Sequence, residues 1–273
     1  RPRHAQRVAG FADGSRAGMS TTVPGEPLVS VVMPLYNAEN FVRRAMESVL
    51  VQTHRLLELI VVDDKSTDSS LSVASAVAGK DPRVRVLRNP RNLGVAEARN
   101  RALAAATGRY VAFLDSDDWW LPGKLEKQLA ALATTGAAIA YGSYRRVDED
   151  GRCLGVVVPP PSLTHADMLR SNRIGHSTGI FDRHVVGEDV RFQAIGHEDY
   201  AFWLDLMRGS SPAVGAGIDG PIACYRVREG SISSNKARAV KWQWHIYRRH
   251  QQLGLLASTW YMANYATLAL SKR

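Results

Sequence analysis

At 273 residues, with 45% hydrophobic and 22% charged side chains, the chain can bury a full core as one large domain or two small ones. Its two cysteines, Cys153 and Cys224, exclude a disulfide framework or a thiolate metal site and point to a reducing, cytoplasmic setting. A net charge of +9 and a pI near 9.8 favour an anionic partner, whether nucleotide, nucleic acid or an acidic membrane surface.

Residues 1–27 read as a disordered tail. Arg1, Arg3, Arg7 and Arg16 stand there among Ala, Gly and Ser, with no apolar core for a signal peptide. Met19 is a candidate natural start, the residues before it then being foreign to the protein. Leu28-Val-Ser-Val-Val-Met33, closed by Pro34, is a β-branched run that predicts a buried strand. Residues 41–52 place Val42, Met46, Val49 and Leu50 on one helical face, with Asn37 or Asn40 as cap. Leu57-Glu-Leu-Ile-Val-Val62 is a second strand that ends in Asp63-Asp64, and Ser66-Thr67-Asp68 starts the next helix. Val84 to Leu87 is a third strand, Asn92-Leu-Gly94 leads into a helix over 95–106, and Gly108 stops it.

Tyr110 to Leu114 is a fourth apolar run that breaks into Asp115-Ser-Asp-Asp118. Strands alternating with helices of this length predict a parallel sheet with right-handed crossovers, and ligands of such sheets bind beyond the carboxyl ends of the strands. Asp63-Asp64 and Asp115-Asp117 are therefore expected to face one crevice. The Asp115–Asp117 spacing suits one hard cation that keeps open positions for a phosphate-bearing substrate. The competing reading is a solvated turn with Asp117 or Asp118 capping the next helix. Arg99 and Asn100 can supply a cation and an amide to the crevice, or lie on a solvated helix face. Neither G-x-G-x-x-G nor G-x-x-x-x-G-K-[ST] occurs, which removes the main support for dinucleotide oxidoreductases and P-loop ATPases.

Four segments, Val29-Ser-Val-Val-Met-Pro-Leu-Tyr-Asn37, Val61-Val-Asp-Asp-Lys-Ser-Thr-Asp68, Asn92-Leu-Gly-Val-Ala-Glu-Ala-Arg-Asn100 and Phe113-Leu-Asp-Ser-Asp-Asp118, occur in the order and spacing of the inverting family-two glycosyltransferases. The chain resembles that family strongly from Leu28 to Tyr141 and more loosely beyond. The resemblance implies an α/β GT-A fold: a Rossmann-like, mostly parallel central sheet flanked by helices, here with a C-terminal helical extension. It implies that Pro34 and Tyr36 sit against the nucleotide base and that Asp64 bonds its ring nitrogen. Asp115 would contact the ribose or the metal, Asp117 would ligate Mn²⁺ or Mg²⁺ across the two phosphates, and Arg99 would approach the diphosphate or donor sugar. Lys65 departs from the small residue usual after the acidic pair; it either reaches the nucleotide or, the reading preferred, points to solvent.

The expected boundaries are 28–235 for the catalytic domain, divided into a nucleotide-binding half (28–120) and an acceptor half (121–235), then a basic, aromatic helical segment over 236–273. Trp119 and Trp120 beside the acids offer a stacking wall for a sugar, or core packing. A helix ends near Gly136, Ala138 to Tyr141 is a strand, and Tyr144 to Val158 is a hairpin turning at Asp148-Glu-Asp-Gly151. Ser177 to Phe181 is a further strand. By the resemblance it lies under the donor sugar, so that Ser177, Thr178 and Gly179 line the site. In Gly196-His-Glu-Asp199 the acids fall in a first helical turn, where the helix dipole alone would favour them. The resemblance makes Asp199 the general base, with Glu198 and His197 positioning or tuning it. Pro221 to Ser233 is a last strand and loop, from which Tyr225, Arg226 and Ser231 to Ser233 either close over the diphosphate or form plain surface.

The chemistry implied is a single in-line displacement. A carboxylate takes the proton of the acceptor hydroxyl, and a bound metal stabilises the leaving nucleotide diphosphate. Direct displacement inverts the anomeric centre. UDP-sugar is the expected donor, although thymine presents the same edge to Asp64, and the acceptor is a saccharide or lipid-linked glycan of an envelope or surface polysaccharide. A Q-x-x-R-W motif is absent, which argues against processive synthesis. The basic, Trp-rich segment after Lys236 either lies on an anionic leaflet at the inner face of the plasma membrane or packs on the domain or on a second subunit of a homodimer. The alternative functions are a nucleotidyltransferase and a non-catalytic nucleotide- or nucleic-acid-binding module. The expected crevice is acidic, which disfavours nucleic acid.

Overall fold

The computed structural model describes residues 25–187, 189–209, 214–227 and 236–271. Most of the expected N-terminal tail, including Met19, and the loop serines Ser231 to Ser233 lie outside them. In the first half, β1 (Val29–Leu35), α1 (Val42–Leu50), β2 (Leu57–Asp63), α2 (Ser70–Ala78), β3 (Val84–Arg88), α3 (Val95–Ala105) and β4 (Tyr110–Phe113) alternate as the periodicity predicts. The second half contains β5 (Trp119–Trp120), α4 (Lys124–Thr135), β6 (Ile139–Val147), β7 (Cys153–Val157), β8 (Ser162–Thr164) and α5 (His165–Arg170). It continues through β9 (Ile180–Asp182), α6 (Arg183–Val186), α7 (Glu198–Gly209), β10 (Val214–Arg226), α8 (Lys236–His245) and α9 (Leu255–Ser271).

Among the described residues the ten strands join one sheet in the order β3-β2-β1-β4-β9-β6-β10-β5, with β7 on β6 and β8 on β10. β1 to β4 pair in parallel, as do β6 and β10, while β9 runs antiparallel between β4 and β6. This is the α/β architecture expected, flanked by helices on both faces. The chain moves outward from β1 through β2 to β3 and then returns to β4 on the other side of β1. The crevice at such a reversal is where ligands of open α/β sheets bind.

β1 is buried along its whole length because both of its faces are covered. Val29, Val31, Met33 and Leu35 pack with Met46, Val49, Ala74 and Val77 of α1 and α2. Val32 packs on the opposite face with Ala98 and Ala102 of α3 and with the aromatic residues of α7. Each such buried aliphatic side chain contributes about 1.5–3 kcal/mol, and the alanines of α3 let that helix approach the sheet closely.

Several local expectations change. Neither Asn37 nor Asn40 caps α1, whose N-cap is Phe41 without a side-chain bond. Asn37 instead adopts φ 47° and its Oδ1 accepts the backbone N–H of Thr67 at 2.9 Å, lacing the turns after β1 and β2 together. The segment 139–147 is one continuous strand that also forms the first arm of the expected hairpin. The expected strand over 177–181 divides into a 3₁₀ turn, His176–Thr178, and β9. Asp118 caps nothing: α4 starts after Gly123, at φ 78°, and Asp118 is buried. The C-terminal segment joins the main core through Ile246 and Tyr247, and the Tyr247 hydroxyl donates to the Leu169 carbonyl at 2.6 Å.

Candidate active site

A cleft of ≈ 1370 Å³ opens at the carboxyl ends of β1, β2 and β4. Pro34, Tyr36, Asp64, Arg99, Asp115, Asp117, Thr178, Glu198, Asp199 and Arg226 all line it, so most of the residues expected at a site are brought together. Trp119 and Gly179 are not among its lining residues. Trp119 is buried with the Arg44 guanidinium 3.4 Å from its ring centre, and it fills core space instead of offering a wall to a sugar. Trp120 is buried too, its indole N–H donating to the Ser177 carbonyl at 2.7 Å. A Cβ on Gly179 would lie 2.2 Å from the Trp203 ring, so close packing onto α7 requires glycine there.

The two acids after β2 part company because consecutive strand residues point to opposite faces. Asp64 lines the cleft, whereas Asp63 is fully buried away from it, accepting the Ser66 N–H at 3.2 Å with Arg88 Nε 3.3 Å from its other oxygen. Asp64 holds the loop before α3. Its Oδ1 accepts from Asn89 Nδ2 at 2.7 Å and Leu93 N at 2.8 Å, and its Oδ2 accepts from Gly94 N at 2.8 Å. Gly94 takes φ 88°, which turns these amides toward the carboxylate. Lys65, at φ 63°, is exposed as expected.

Arg99 is the hinge of the electrostatics. Its side chain is only 5% exposed, and it donates from Nη2 to Asp115 Oδ1 at 2.7 Å and from Nη1 to Glu198 Oε1 at 2.8 Å. Burial opposes its charge, but Asp115 and Glu198 raise its pKa beyond the ordinary value. Asp115 in turn is held below the usual carboxylate range: burial pushes it up, and the Arg99 charge, His176 and the Arg99 hydrogen bond together more than offset that. The same guanidinium thus ties the strand-end acids to the first turn of α7.

Asp199 behaves differently. Burial and the neighbouring Glu198 charge push it up to about 6, against the pull of Arg99. Asn172 Nδ2 reaches its Oδ2 at 3.4 Å. His197, just before α7, takes φ 58° and turns its ring edge-on to Trp242 at 5.3 Å, and burial lowers its pKa. A Cβ on Gly196 would lie 2.0 Å from the Trp242 ring, so α8 packs against the very turn that presents Glu198 and Asp199.

Asp118 supports the cleft from below. Its Oδ2 accepts from the Ser177 hydroxyl at 2.6 Å and its Oδ1 from the Arg226 N–H at 2.9 Å. Burial, then the charges of Asp117 and Asp115, raise its pKa well above the ordinary value. Ser177 Oγ also accepts the Asp115 N–H at 3.3 Å, which links the acid cluster to the 3₁₀ turn. The Arg226 side chain is buried and donates to the main-chain carbonyls of Asp117, Asp148 and Glu149, with the Phe41 ring 4.6 Å away. It fastens the hairpin turn to the acid cluster.

The sequence did not mark Tyr144, Arg146, Asn172, Arg173, His176 or Trp242, all of which line the cleft. His176 is buried with its ring stacked on Phe113 at 4.6 Å, and burial followed by Arg99 lowers its pKa well below the ordinary value. Among the described residues no group of three His, Cys, Asp or Glu could hold a metal ion on its own. Asp115 and Asp117 nevertheless offer hard carboxylate oxygens at the cleft, and a small divalent cation is commonly completed by substrate phosphates and water. The donor set fits an ion that shares its ligands with a diphosphate.

Known proteins carry the same organisation. The chain is 39% identical to a putative teichuronic acid biosynthesis glycosyltransferase of Bacillus subtilis, TuaG, over 91% of this chain and 98% of that one. It is 35% identical to the UDP-Glc:alpha-D-GlcNAc-diphosphoundecaprenol beta-1,3-glucosyltransferase WfgD of Escherichia coli, over 90% and 94% of the two chains. In fold it matches S. aureus TarS 1-349 crystallised with UDP-GlcNAc at TM-score 0.67 and 21% identity, covering 87% of this chain and 71% of that one. It also matches the mannosyltransferase PcManGT from Pyrobaculum calidifontis in complex with GDP-Man and Mn2+, at TM-score 0.63 and 20% identity, covering 88% and 73%. The acids at the ends of β2 and β4 both fall within residues 30–167, the span matched by the model of glycosyl transferase family 2, and with relatives of this identity along nearly the whole length the chain belongs to that family and is a glycosyltransferase.

Proposed function

We propose that the protein moves one sugar at a time from a UDP-sugar, with inversion and with the help of Mn²⁺ or Mg²⁺, to a saccharide or lipid-linked glycan in envelope polysaccharide synthesis. The observation that carries this reading is the Arg99 fork. One buried guanidinium fixes Asp115 on the donor side and Glu198 beside Asp199, so the acids that would face the diphosphate and the candidate base belong to one rigid unit. The names of TuaG and WfgD support an envelope glycan, and the UDP-GlcNAc bound to TarS and the Mn²⁺ bound to PcManGT support the donor and the cation.

Each residue has a task in this scheme. Pro34 and Tyr36 flank the base, and Asp64 Oδ2, which accepts one bond from Gly94, has a lone pair for the uracil N–H. Asp117, with Asp115, would hold the divalent ion against the diphosphate, and when bound the ion neutralises the charge of the leaving group. Asp199 takes the proton of the acceptor hydroxyl as that oxygen attacks the anomeric carbon. A base near pH 6 combines adequate basicity with ionisation at neutral pH. Arg99 positions both carboxylates, each of its terminal nitrogens giving one N–H to them and keeping a second. Thr178 lines the cleft, where the family resemblance would put it beneath the donor sugar.

The C-terminal helices suit an anionic leaflet at the inner face of the membrane. Residues 236–273 contain seven Lys and Arg and no Asp or Glu. Val240, Trp244, Leu255, Leu256 and Trp260 are exposed there, beside a groove of ≈ 560 Å³ lined by Lys241, Arg248 and Arg249. No helix among the described residues is long and apolar enough to cross a membrane, so the proposed association is peripheral.

The direct test is a thermal-shift screen of nucleotides and nucleotide sugars with and without Mn²⁺, followed by assignment of the anomeric configuration of any product. UDP-sugar binding that strengthens with metal in the native chain and weakens in Asp117→Ala is expected. A chain that responds to no nucleotide under either condition, or a product of retained configuration, would refute the reading.

A further inference from the structure

One wall of the cleft has no task in the chemistry above. It is built by β6, β7 and β10. Tyr144 and Arg146 of β6 pair with Val157 and Gly155 of β7 on one side and with Ala223 and Tyr225 of β10 on the other. Directly paired residues share a face of the sheet, and all six line the cleft, so this is the face turned toward it. Tyr144 is held on that wall by packing. Gly175, in the loop before the 3₁₀ turn, takes φ −63° and ψ 121°, which any residue can adopt. What matters there is the missing Cβ. One placed on Gly175 would lie 2.7 Å from Tyr144 Cε1 and 2.9 Å from Cδ1, and its three nearest atoms would all belong to the Tyr144 ring. Tyr225 meets the same ring edge to face at 5.9 Å.

The loop that seats against the ring also carries Asn172, whose Nδ2 reaches Asp199 Oδ2 at 3.4 Å. The ring is thereby fixed relative to the candidate base, while its hydroxyl makes no hydrogen bond among the described residues. Two carboxylates bracket the phenol. Burial raises its pKa against the pull of Arg146, and Asp118 and Asp199 both add to the rise. Asp118 adjoins Asp117, which would hold the cation, and Asp199 stands on the side of the attacking oxygen. In a direct displacement the anomeric carbon lies between the leaving diphosphate and that oxygen, so the transferred sugar occupies the space between the two acids. Tyr144, which feels both, faces that space.

A protonated phenol donates one hydrogen bond and accepts others, which matches a sugar hydroxyl; a phosphate offers acceptors only. We propose that Tyr144 is a specificity-determining residue that hydrogen-bonds a hydroxyl of the transferred sugar, with Gly175 setting the position of its ring. This rests on the glycosyltransfer reading above and adds to it a contact that selects the sugar separately from the nucleotide.

Calorimetric titrations in Mn²⁺ with UDP and with UDP-glucose, UDP-galactose and their N-acetylated forms give the ratio of sugar-nucleotide to nucleotide affinity. For the sugar nucleotide that binds most tightly, Tyr144→Phe should lower that ratio by about three- to tenfold, the contribution of one hydrogen bond. Affinity for UDP and Tm should stay unchanged. Gly175→Ala should lower the ratio as well, because its methyl moves the ring while the hydroxyl is still present. In Tyr144→Phe/Gly175→Ala the two losses should not add, since the position of an absent hydroxyl no longer matters. Fully additive losses, or an unchanged ratio in Tyr144→Phe, would overturn the proposal. A rise in KM for the acceptor alone would overturn it too, by giving the wall to the acceptor, and equal losses for UDP and UDP-sugar would reduce Tyr144 to a structural part. A chain that binds none of these nucleotides would refute the glycosyltransfer reading and the proposal with it. Binding of UDP and UDP-sugar with an unmoved ratio would remove Tyr144 and leave that reading standing.

Discussion

Asp199→Asn should abolish transfer and, at the same time, stabilise the protein. The folded chain raises Asp199 from 3.8 to about 6, so between those values the native state holds a proton that the unfolded state has released. Stability from this group is therefore present at acid pH and falls as pH rises through about 4 to 6. A shift of about two units corresponds to about 3 kcal/mol at pH 8, where the ionised carboxylate is fully penalised. Asp199 is half-buried in an open cleft, and solvent screening reduces the expected gain from its removal to about 1–2 kcal/mol. For a chain of this size that is a rise in Tm of several degrees.

Asparagine keeps the shape and an oxygen for Asn172 Nδ2, so the substitution removes charge and basicity with little change in packing. Melting curves at pH 8 and near pH 4, together with turnover and UDP binding, read out the effect. The expected pattern is a higher Tm at pH 8, no gain near pH 4, retained nucleotide binding and lost transfer. A variant that melts lower at both pH values would show that the Asp199 charge is structurally satisfied in the fold, and unchanged turnover would remove it as the base.

Three other outcomes follow from the same geometry. Glu198→Gln retains an oxygen for Arg99 Nη1 but removes a charge that raises Asp199, so the acid limb of the kcat profile should move down from about 6 by about one unit; a limb that stays in place or rises would contradict the assignment. Gly179→Ala should destabilise the fold by about 1–3 kcal/mol, because its methyl would enter the fully buried Trp203 ring at 2.2 Å, and a wild-type unfolding midpoint in urea would contradict that. Replacing Lys241, Arg248 and Arg249 by Gln should release the protein from phosphatidylglycerol vesicles in flotation, whereas binding that persists in the triple variant would place the membrane contact elsewhere.

The first half of the fold was legible because its strands are buried on both faces and alternate with helices, a pattern that local periodicity can carry. The second half was not, because its contacts come from far apart in the chain. Asp118 read as a helix cap from its neighbours alone. It is buried because β10 returns beside β5, pairing Cys224 with Trp119, and brings the Arg226 N–H to its carboxyl. Trp119 stayed open between a sugar wall and core packing for the same reason, its burial being completed by Arg44 in the turns of α1. Tyr144, Asn172 and Arg173 belong to no motif, and the packing of Gly175 on Tyr144 brings the loop and the strand together.

Arg99 shows how far local reading could go. On its helix it was either solvated or directed at the donor, and both readings treat it as a residue with one neighbour. Its partners stand 16 and 99 residues away in sequence, on a strand end and on a helix that are built by different halves of the chain. A planar guanidinium can bridge them because it offers separate N–H groups in fixed directions, which a lysine ammonium does not. The bridge is part of why these two carboxylates titrate in opposite directions: Asp115 accepts from Arg99 directly and is held low, while Asp199 is pushed up by burial and then by the Glu198 charge, against the weaker pull of Arg99. Division of labour among the acids is thus set by which of them receives the hydrogen bonds of one arginine. Asp199, which receives none of them, is the acid of α7 proposed to take a proton.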